Sequence, residues 1–141
     1  MATNQIFLSH ADEDAFEAEL LQLQLENSLS DLNVRVWSYK RDQASDERNI
    51  GSSIRERVRE SAAVIMLVSQ YTVGSGATQW MELAYADAFN IPTFVLMHHM
   101  TFEDLKRSSG VPPLVLQGQS IPAVNWRSVE ADLRKRLKAN N

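Results

Sequence analysis

Apolar residues along this chain fall into short unbroken bursts separated by longer periodic stretches. Gln5-Ile6-Phe7-Leu8-Ser9, Val34-Arg35-Val36-Trp37, Ala63-Val64-Ile65-Met66-Leu67-Val68 and Thr93-Phe94-Val95-Leu96-Met97 show little alternation. Strands buried on both faces of a parallel sheet read this way, and the run from Ala63 to Val68 predicts the central one. Ala18, Leu21, Leu25, Leu29 and Leu32 recur at helical steps, with Phe16, Leu20 and Leu23 widening the stripe. That spacing predicts an amphipathic helix of about five turns. Asp12, Glu13 and Asp14 precede it, where free N–H groups favour negative charge. Ser53 with Glu56 reads as a capping box opening a helix through Ile54, Val58 and Ala62. Gly74-Ser75-Gly76 predicts a turn, then a helix from about Thr78 to Asn90, stopped by Pro92. Thr101 to Ser108 predicts a short helix. Leu114 to Asn125 predicts an edge strand broken by Gly118 and Pro122, and Val129, Leu133 and Leu137 a closing helix.

Strand and helix thus alternate, and parallel strands joined by right-handed crossovers place helices on both faces of one sheet. The fold class expected is α/β: a three-layer sandwich with a five-stranded parallel sheet in flavodoxin-like order 2-1-3-4-5, one domain over residues 1–141. In such sheets ligands bind beyond the carboxyl ends of the strands, where strand order reverses. Here that crevice lies between the first and third strands, lined by Ser9 to Ala11 and Gln70 to Ala77. The polar stretch Tyr39 to Asn49, including Lys40, Arg41 and Asp42, has no apolar period. A structureless stretch of that length is more often functional than idle.

Composition narrows the picture. With 44% hydrophobic and 23% charged residues in 141, the chain can bury one core and stay soluble. Lys and Arg number 14 against 18 Asp and Glu, which argues against nucleic acid as a direct ligand. The absence of cysteine excludes disulfides, thiolate zinc sites and a cysteine nucleophile. No apolar run approaches the roughly 20 residues of a membrane span, and the N-terminus lacks the pattern of a signal peptide. The expected address is cytoplasmic, with no membrane partner.

At the crevice the sequence offers Ser9, His10, Ala11, Trp37, Ser75, Thr78, Trp80 and Glu82. A carboxylate beside Trp80 and Tyr85 can be tuned by burial. It can hydrogen-bond a ribose hydroxyl, steady an oxocarbenium-like centre or activate water. The alternative is a glutamate placed early in a helix for the dipole alone. Trp37 and Trp80 can stack on a nucleobase, although large aromatics more commonly pack the core. His98 and His99 end a strand, where neighbours point to opposite faces, and no His, Asp and Glu cluster has ligand spacing. No metal is expected. Gly74-Ser75-Gly76 lacks the lysine of a phosphate loop, and no Gly-x-Ser-x-Gly elbow is present.

Taken in order, several segments resemble a TIR domain of the bacterial kind. Ile6-Phe7-Leu8-Ser9-His10-Ala11-Asp12-Glu13-Asp14 resembles the family's first strand and acidic turn. Val34 to Trp37 matches its second strand, Gly51-Ser52-Ser53-Ile54 the opening of its second helix, and Ser61 to Tyr71 its third strand. The family's glutamate-bearing helix corresponds to Ser75 through Ala86. Its tryptophan ordinarily precedes the glutamate by a full turn, whereas Trp80 stands two residues before Glu82. Met81-Glu82-Leu83-Ala84-Tyr85-Ala86 also resembles the corresponding helix of nucleoside deoxyribosyltransferases.

The resemblance implies an NAD-cleaving domain of antiphage defence or signalling, with Glu82 catalytic and NAD as substrate, not cofactor. Ser9, His10, Ala11, Trp37, Ser75, Thr78 and Trp80 would border the substrate. It also implies self-association or pairing with other TIR domains through the loop at Lys40, Arg41 and Asp42. A sensor domain in a longer chain is implied as well. The competing expectations are a non-catalytic TIR scaffold and a deoxyribosyltransferase-like glycosidase.

Overall fold

The structure is a computed structural model that describes residues 4–38, 50–75, 77–108, 120–123 and 125–139. β1 (Asn4–Ser9) leads through a 3₁₀ turn at Asp12–Asp14 into α1 (Ala15–Ser28). A second 3₁₀ turn at Ser30–Leu32 precedes β2 (Val34–Ser38). Then follow α2 (Ile50–Arg59), β3 (Ala63–Val68), α3 (Gln70–Ser75), α4 (Ala77–Ala88), β4 (Thr93–Met97), α5 (Phe102–Arg107), β5 (Ser120–Ala123) and α6 (Trp126–Ala139). The central strands take the order β2-β1-β3-β4 with every pairing parallel, and β5 pairs parallel to β4.

Alternation within each strand sends side chains to two separate cores. Ile6, Leu8, Val34, Val36, Ile65, Leu67, Phe94 and Leu96 face α1 and α6, meeting Leu21, Leu25, Leu133 and Leu137. On the other face, Phe7, Trp37 and Val64 pack with Ile54 and Val58 of α2 and Ala86 of α4. Met66, Val68 and Val95 continue that face under Leu83 of α4 and Leu105 of α5. A strand buried on both sides must be apolar throughout, and all six residues of β3 are buried.

Three local expectations are corrected. The first helix stops at Ser28, and Leu32 belongs to a separate 3₁₀ turn closed by Asn33 in the left-handed region, φ 53°. Phe16, Leu20 and Leu23 do not widen its buried stripe; they are 70%, 45% and 55% exposed. At about 100° per residue these positions lie across the helix from Ala18, Leu21 and Leu25, forming a second apolar face that stays largely exposed among the described residues.

Next, Gly74 and Ser75 are helical: α3 begins after Ser69, whose Oγ accepts from Tyr71 N at 3.1 Å while Thr72 Oγ1 accepts from Ser69 N at 3.2 Å. That reciprocal cap starts a helix the glycines alone concealed. Finally, α2 already runs from Ile50, so Ser53 lies inside the helix instead of capping it. The short helix expected from Thr101 to Ser108 is present as α5, opened by a capping box in which Thr101 Oγ1 and the Asp104 carboxylate accept hydrogen bonds from each other's backbone N–H. Residues 109–119, which include half of the expected edge-strand region, lie outside the described residues, and β5 falls in the other half.

Candidate functional site

The strand order reverses between β1 and β3, and Ser9 pairs in register with Met66 at their carboxyl ends. The α4 helix runs back over β3 and β4. Its buried positions recur as Gln79, Glu82, Leu83 and Ala86, so Glu82 is set on the sheet-facing side by the helical repeat itself. Glu82 is 5% exposed, which a helix-dipole role on the surface would not require. Burial lifts its pKa from the ordinary value near 4.5 to about 8, and nearby Ser9 partly opposes the shift. Ser9 Oγ is itself buried and makes no hydrogen bond in the structure, so its effect on Glu82 is one of proximity and not of a formed bond.

One helical turn before Glu82, Gln79 Nε2 donates to Leu67 O at 3.0 Å, while its Oε1 is buried and unpartnered. Buried polar atoms are ordinarily satisfied, so two unpartnered atoms near one buried carboxyl mark this corner as unusual. His10 and Ala11 follow Ser9 at the same rim, with His10 Nδ1 2.8 Å from Ala11 O. The structure therefore brings Ser9 and Glu82 together. Gln79 was missed in the sequence because glutamine carries no motif weight by itself.

The two tryptophans go elsewhere. Trp37 is 4% exposed, stacked on Phe7 with centroids 5.2 Å apart, and the Arg57 guanidinium carbon lies 5.4 Å from its ring centre. Its ring is engaged in packing beneath α2. Trp80 is half-buried and packs with the core under α4 that contains Leu83 and Val95. Two residues is about 200° of helix, so Trp80 and Glu82 leave α4 on different sides. Ser75 ends α3 and Thr78 lies in the first turn of α4; their side chains, like Lys40, Arg41 and Asp42, lie outside the described residues.

Two hollows occur elsewhere on the sheet's ends, and Glu82 lines neither. One of about 230 Å³ sits at the amino end of β4, between Asn90, Thr93, Ile121 and Arg136. The other, about 530 Å³, sits at the carboxyl ends of β4 and β5 among Met97, His99, Met100, Phe102 and Ala123. His98 and His99 were expected to diverge as strand neighbours. Instead the strand ends at Met97, His99 turns into the left-handed region at φ 57°, and the two rings lie 4.1 Å apart. His98 meets Asp14 and Glu17, a group of ligand-type side chains that linear spacing did not reveal. Among the described residues no helix is long and apolar enough to cross a membrane.

The sequence profile described as "TIR domain" matches residues 6–137. No curated protein matches the chain. Among solved structures, a 2-deoxyribosyltransferase from Bacillus psychrosaccharolyticus superposes with a TM-score of 0.59 at 15% identity, over 89% of this chain and 90% of that one. A Clostridium botulinum CMP N-glycosidase does so at 0.54 and 14% identity, over 93% and 98%. A conserved protein from Enterococcus faecalis gives 0.56 at 16% identity, over 99% and 100%. At such identities the likeness concerns the fold.

Proposed function

The chain belongs to the TIR-domain family, and we propose that it is an NAD-cleaving member in which Glu82 acts at the nicotinamide-side ribose. The observation that carries this reading is a carboxyl buried at the reversal between β1 and β3, with its pKa raised to about 8 and an unpartnered Ser9 hydroxyl nearby. A carboxyl whose titration is strongly shifted by burial is a functional-site candidate. Two of the fold neighbours bear names of N-glycosidic chemistry, a deoxyribosyl transfer and the cleavage of CMP, and the same bond type joins nicotinamide to ribose.

In the proposed reaction the bond between C1′ and the nicotinamide nitrogen breaks. The electron pair goes to the ring, whose positive charge disappears, and C1′ takes on oxocarbenium character. Glu82, as carboxylate, stabilises that charge and accepts a hydrogen bond from a ribose hydroxyl. Ser9 Oγ supplies a further polar contact. Water then adds to C1′ and releases a proton, giving ADP-ribose; capture by an atom of the substrate itself gives a cyclic product. The positively charged nicotinamide ring beside it favours ionised Glu82, so binding lowers the raised pKa. His10 and Ala11 border the site, and the segment at Lys40, Arg41 and Asp42 is the proposed contact with other TIR domains.

Incubating the protein with NAD and following nicotinamide release, for wild type and Glu82→Gln, tests the reading. The substitution keeps shape and removes charge, and a loss of at least about 100-fold in turnover is expected. Equal turnover by the two proteins would remove Glu82 from the mechanism. Nucleosides and CMP assayed in parallel separate NAD cleavage from a nucleotide glycosidase. A scaffold that joins TIR domains is a second reading, favoured by the bare apolar face of α1 at Phe16, Leu20 and Leu23. An inert protein that binds a partner TIR domain, and loses that binding on Leu23→Glu, supports it over catalysis.

A further inference from the structure

The carboxyl rim of the sheet carries another cluster, one that the Glu82 chemistry does not use. Asp14 ends the 3₁₀ turn after β1, Glu17 stands in the first turn of α1, and His98 follows directly on β4. One ligand-type atom from each lies within 4.8 Å of the other two. These positions are braced from behind. Ser69 Oγ donates to Asp14 Oδ2 at 2.5 Å, and Ser69 is in turn fixed by Thr72 in the cap of α3. His98 N donates to Val68 O at 2.8 Å, anchoring the imidazole-bearing residue to the end of the central strand.

The cluster does not satisfy itself. Asp14 is 2% exposed, and of its carboxylate lone pairs one is taken, at Oδ2, by the Ser69 hydroxyl. A buried carboxylate has several lone pairs to fill and ordinarily fills them. Glu17 Oε1 and His98 Nε2 stand 3.8 Å apart, beyond hydrogen-bonding distance. Three groups from two stretches of chain far apart in sequence thus converge around a common point.

The geometry points to a binding site for one first-row divalent transition cation, Zn²⁺ or Mn²⁺, held by Asp14, Glu17 and His98. A triangle with no side longer than 4.8 Å fits inside a circle of radius about 2.8 Å. An inward movement of about 0.7 Å or less by each ligand atom therefore reaches the roughly 2.0–2.2 Å of imidazole and carboxylate bonds to such ions. Two carboxylates balance the charge of the ion. One nitrogen among the oxygens selects borderline ions over Ca²⁺ and Mg²⁺, which favour oxygen alone. Ser69, bonded to Asp14, is the outer partner that orients a ligand oxygen. Three protein ligands leave further coordination positions for water or for an anionic oxygen of a bound molecule.

Titration calorimetry of the full chain with MnCl₂ and, separately, with ZnCl₂ tests the site, alongside Glu17→Gln, His98→Gln and a His10→Ala control. One ion per chain is expected for the wild type and the control, with affinity lowered at least about tenfold in both ligand variants. Thermal melts in the same solutions read the site independently: the ion should raise the wild-type Tm and leave that of Glu17→Gln unmoved. Glu17 is part-exposed on a helix, so its substitution leaves the fold in place. Absence of saturable binding to the wild type up to millimolar metal overturns the proposal. Wild-type affinity retained by either ligand variant does so equally, and would leave Glu17 and His98 as an ordinary surface ion pair.

Discussion

Glu82 is the residue on which sequence and physics converge, and its burial has consequences that can be measured without any substrate. Unfolded, its carboxyl titrates near 4.5; folded, near 8. The native chain therefore holds an extra proton across that window. The stabilising contribution of this proton is complete below about pH 4.5 and is lost as the pH rises to about 8. The amount at stake is of the order of a few kcal/mol, from the size of the shift. Gln at this position cannot ionise, so the Tm of Glu82→Gln should gain on the wild type from about pH 5 to about pH 8 and then level off. Parallel Tm profiles would mean that the carboxyl is not buried as described. The same ionisation should appear in catalysis: if the carboxylate is the working form, kcat/KM for NAD rises with pH and levels off above about 8. The sequence exposed Glu82 because it sits in a string with a family pattern. It concealed Gln79, whose significance lies in an unpartnered buried oxygen, and the trio of Asp14, Glu17 and His98, which only the closing of the sheet assembles.

Among the elements, strands were easier to read than helices, for a reason visible in their burial. A strand such as Ala63–Val68, covered on both sides, has to be apolar at every position and admits few alternatives. The first helix is apolar on two opposite faces, and nothing in its own sequence tells which one packs. Tertiary placement chose Ala18, Leu21 and Leu25 and left Phe16, Leu20 and Leu23 bare. The buried face also carries two polar side chains whose purpose emerges only beside the edge strand β2. Gln22 Nε2 donates to Val36 O at 3.0 Å, and Glu26 Oε2 accepts from Val36 N at 2.8 Å. Together they cover backbone groups that β1, pairing on the other side, does not reach, and so blunt an edge open to aggregation. Gln22→Leu keeps the volume but strands a buried carbonyl, so a loss of about 1–3 kcal/mol is expected. Urea unfolding measures it; a variant as stable as the wild type would show that water serves Val36 O equally well.

At the scale of the whole molecule, the sheet separates two cores that share no side chains yet must unfold together if they are coupled through its strands. Leu133 of α6 is fully buried on the face of α1, whereas Trp37 reports on the opposite face beneath α2. The α6 helix is also tied to the connection between α1 and β2: Arg134 reaches Asp31 at 2.7 Å and Ser28 O at 2.9 Å. Exposed pairs of this kind contribute little by themselves, so the coupling rests on the leucines and on the strands they cover. Leu133→Ala should cost about 2–5 kcal/mol through lost burial and a residual cavity. The decisive observation is where that loss appears. Each strand presents alternate residues to both cores, so losing the α1 and α6 layer frees the β-strands that also carry Phe7, Val64 and Val95. Trp37 has no contact with Leu133's core, and a signal from the environment of Trp37 should nonetheless shift by the full amount, coincident with the helical signal by circular dichroism. Two separated transitions in Leu133→Ala, an early one for helix content and a later one for the Trp37 side, would show that the layers are independent. In that case Glu82, packed over the second core, would keep its buried environment after α6 had melted.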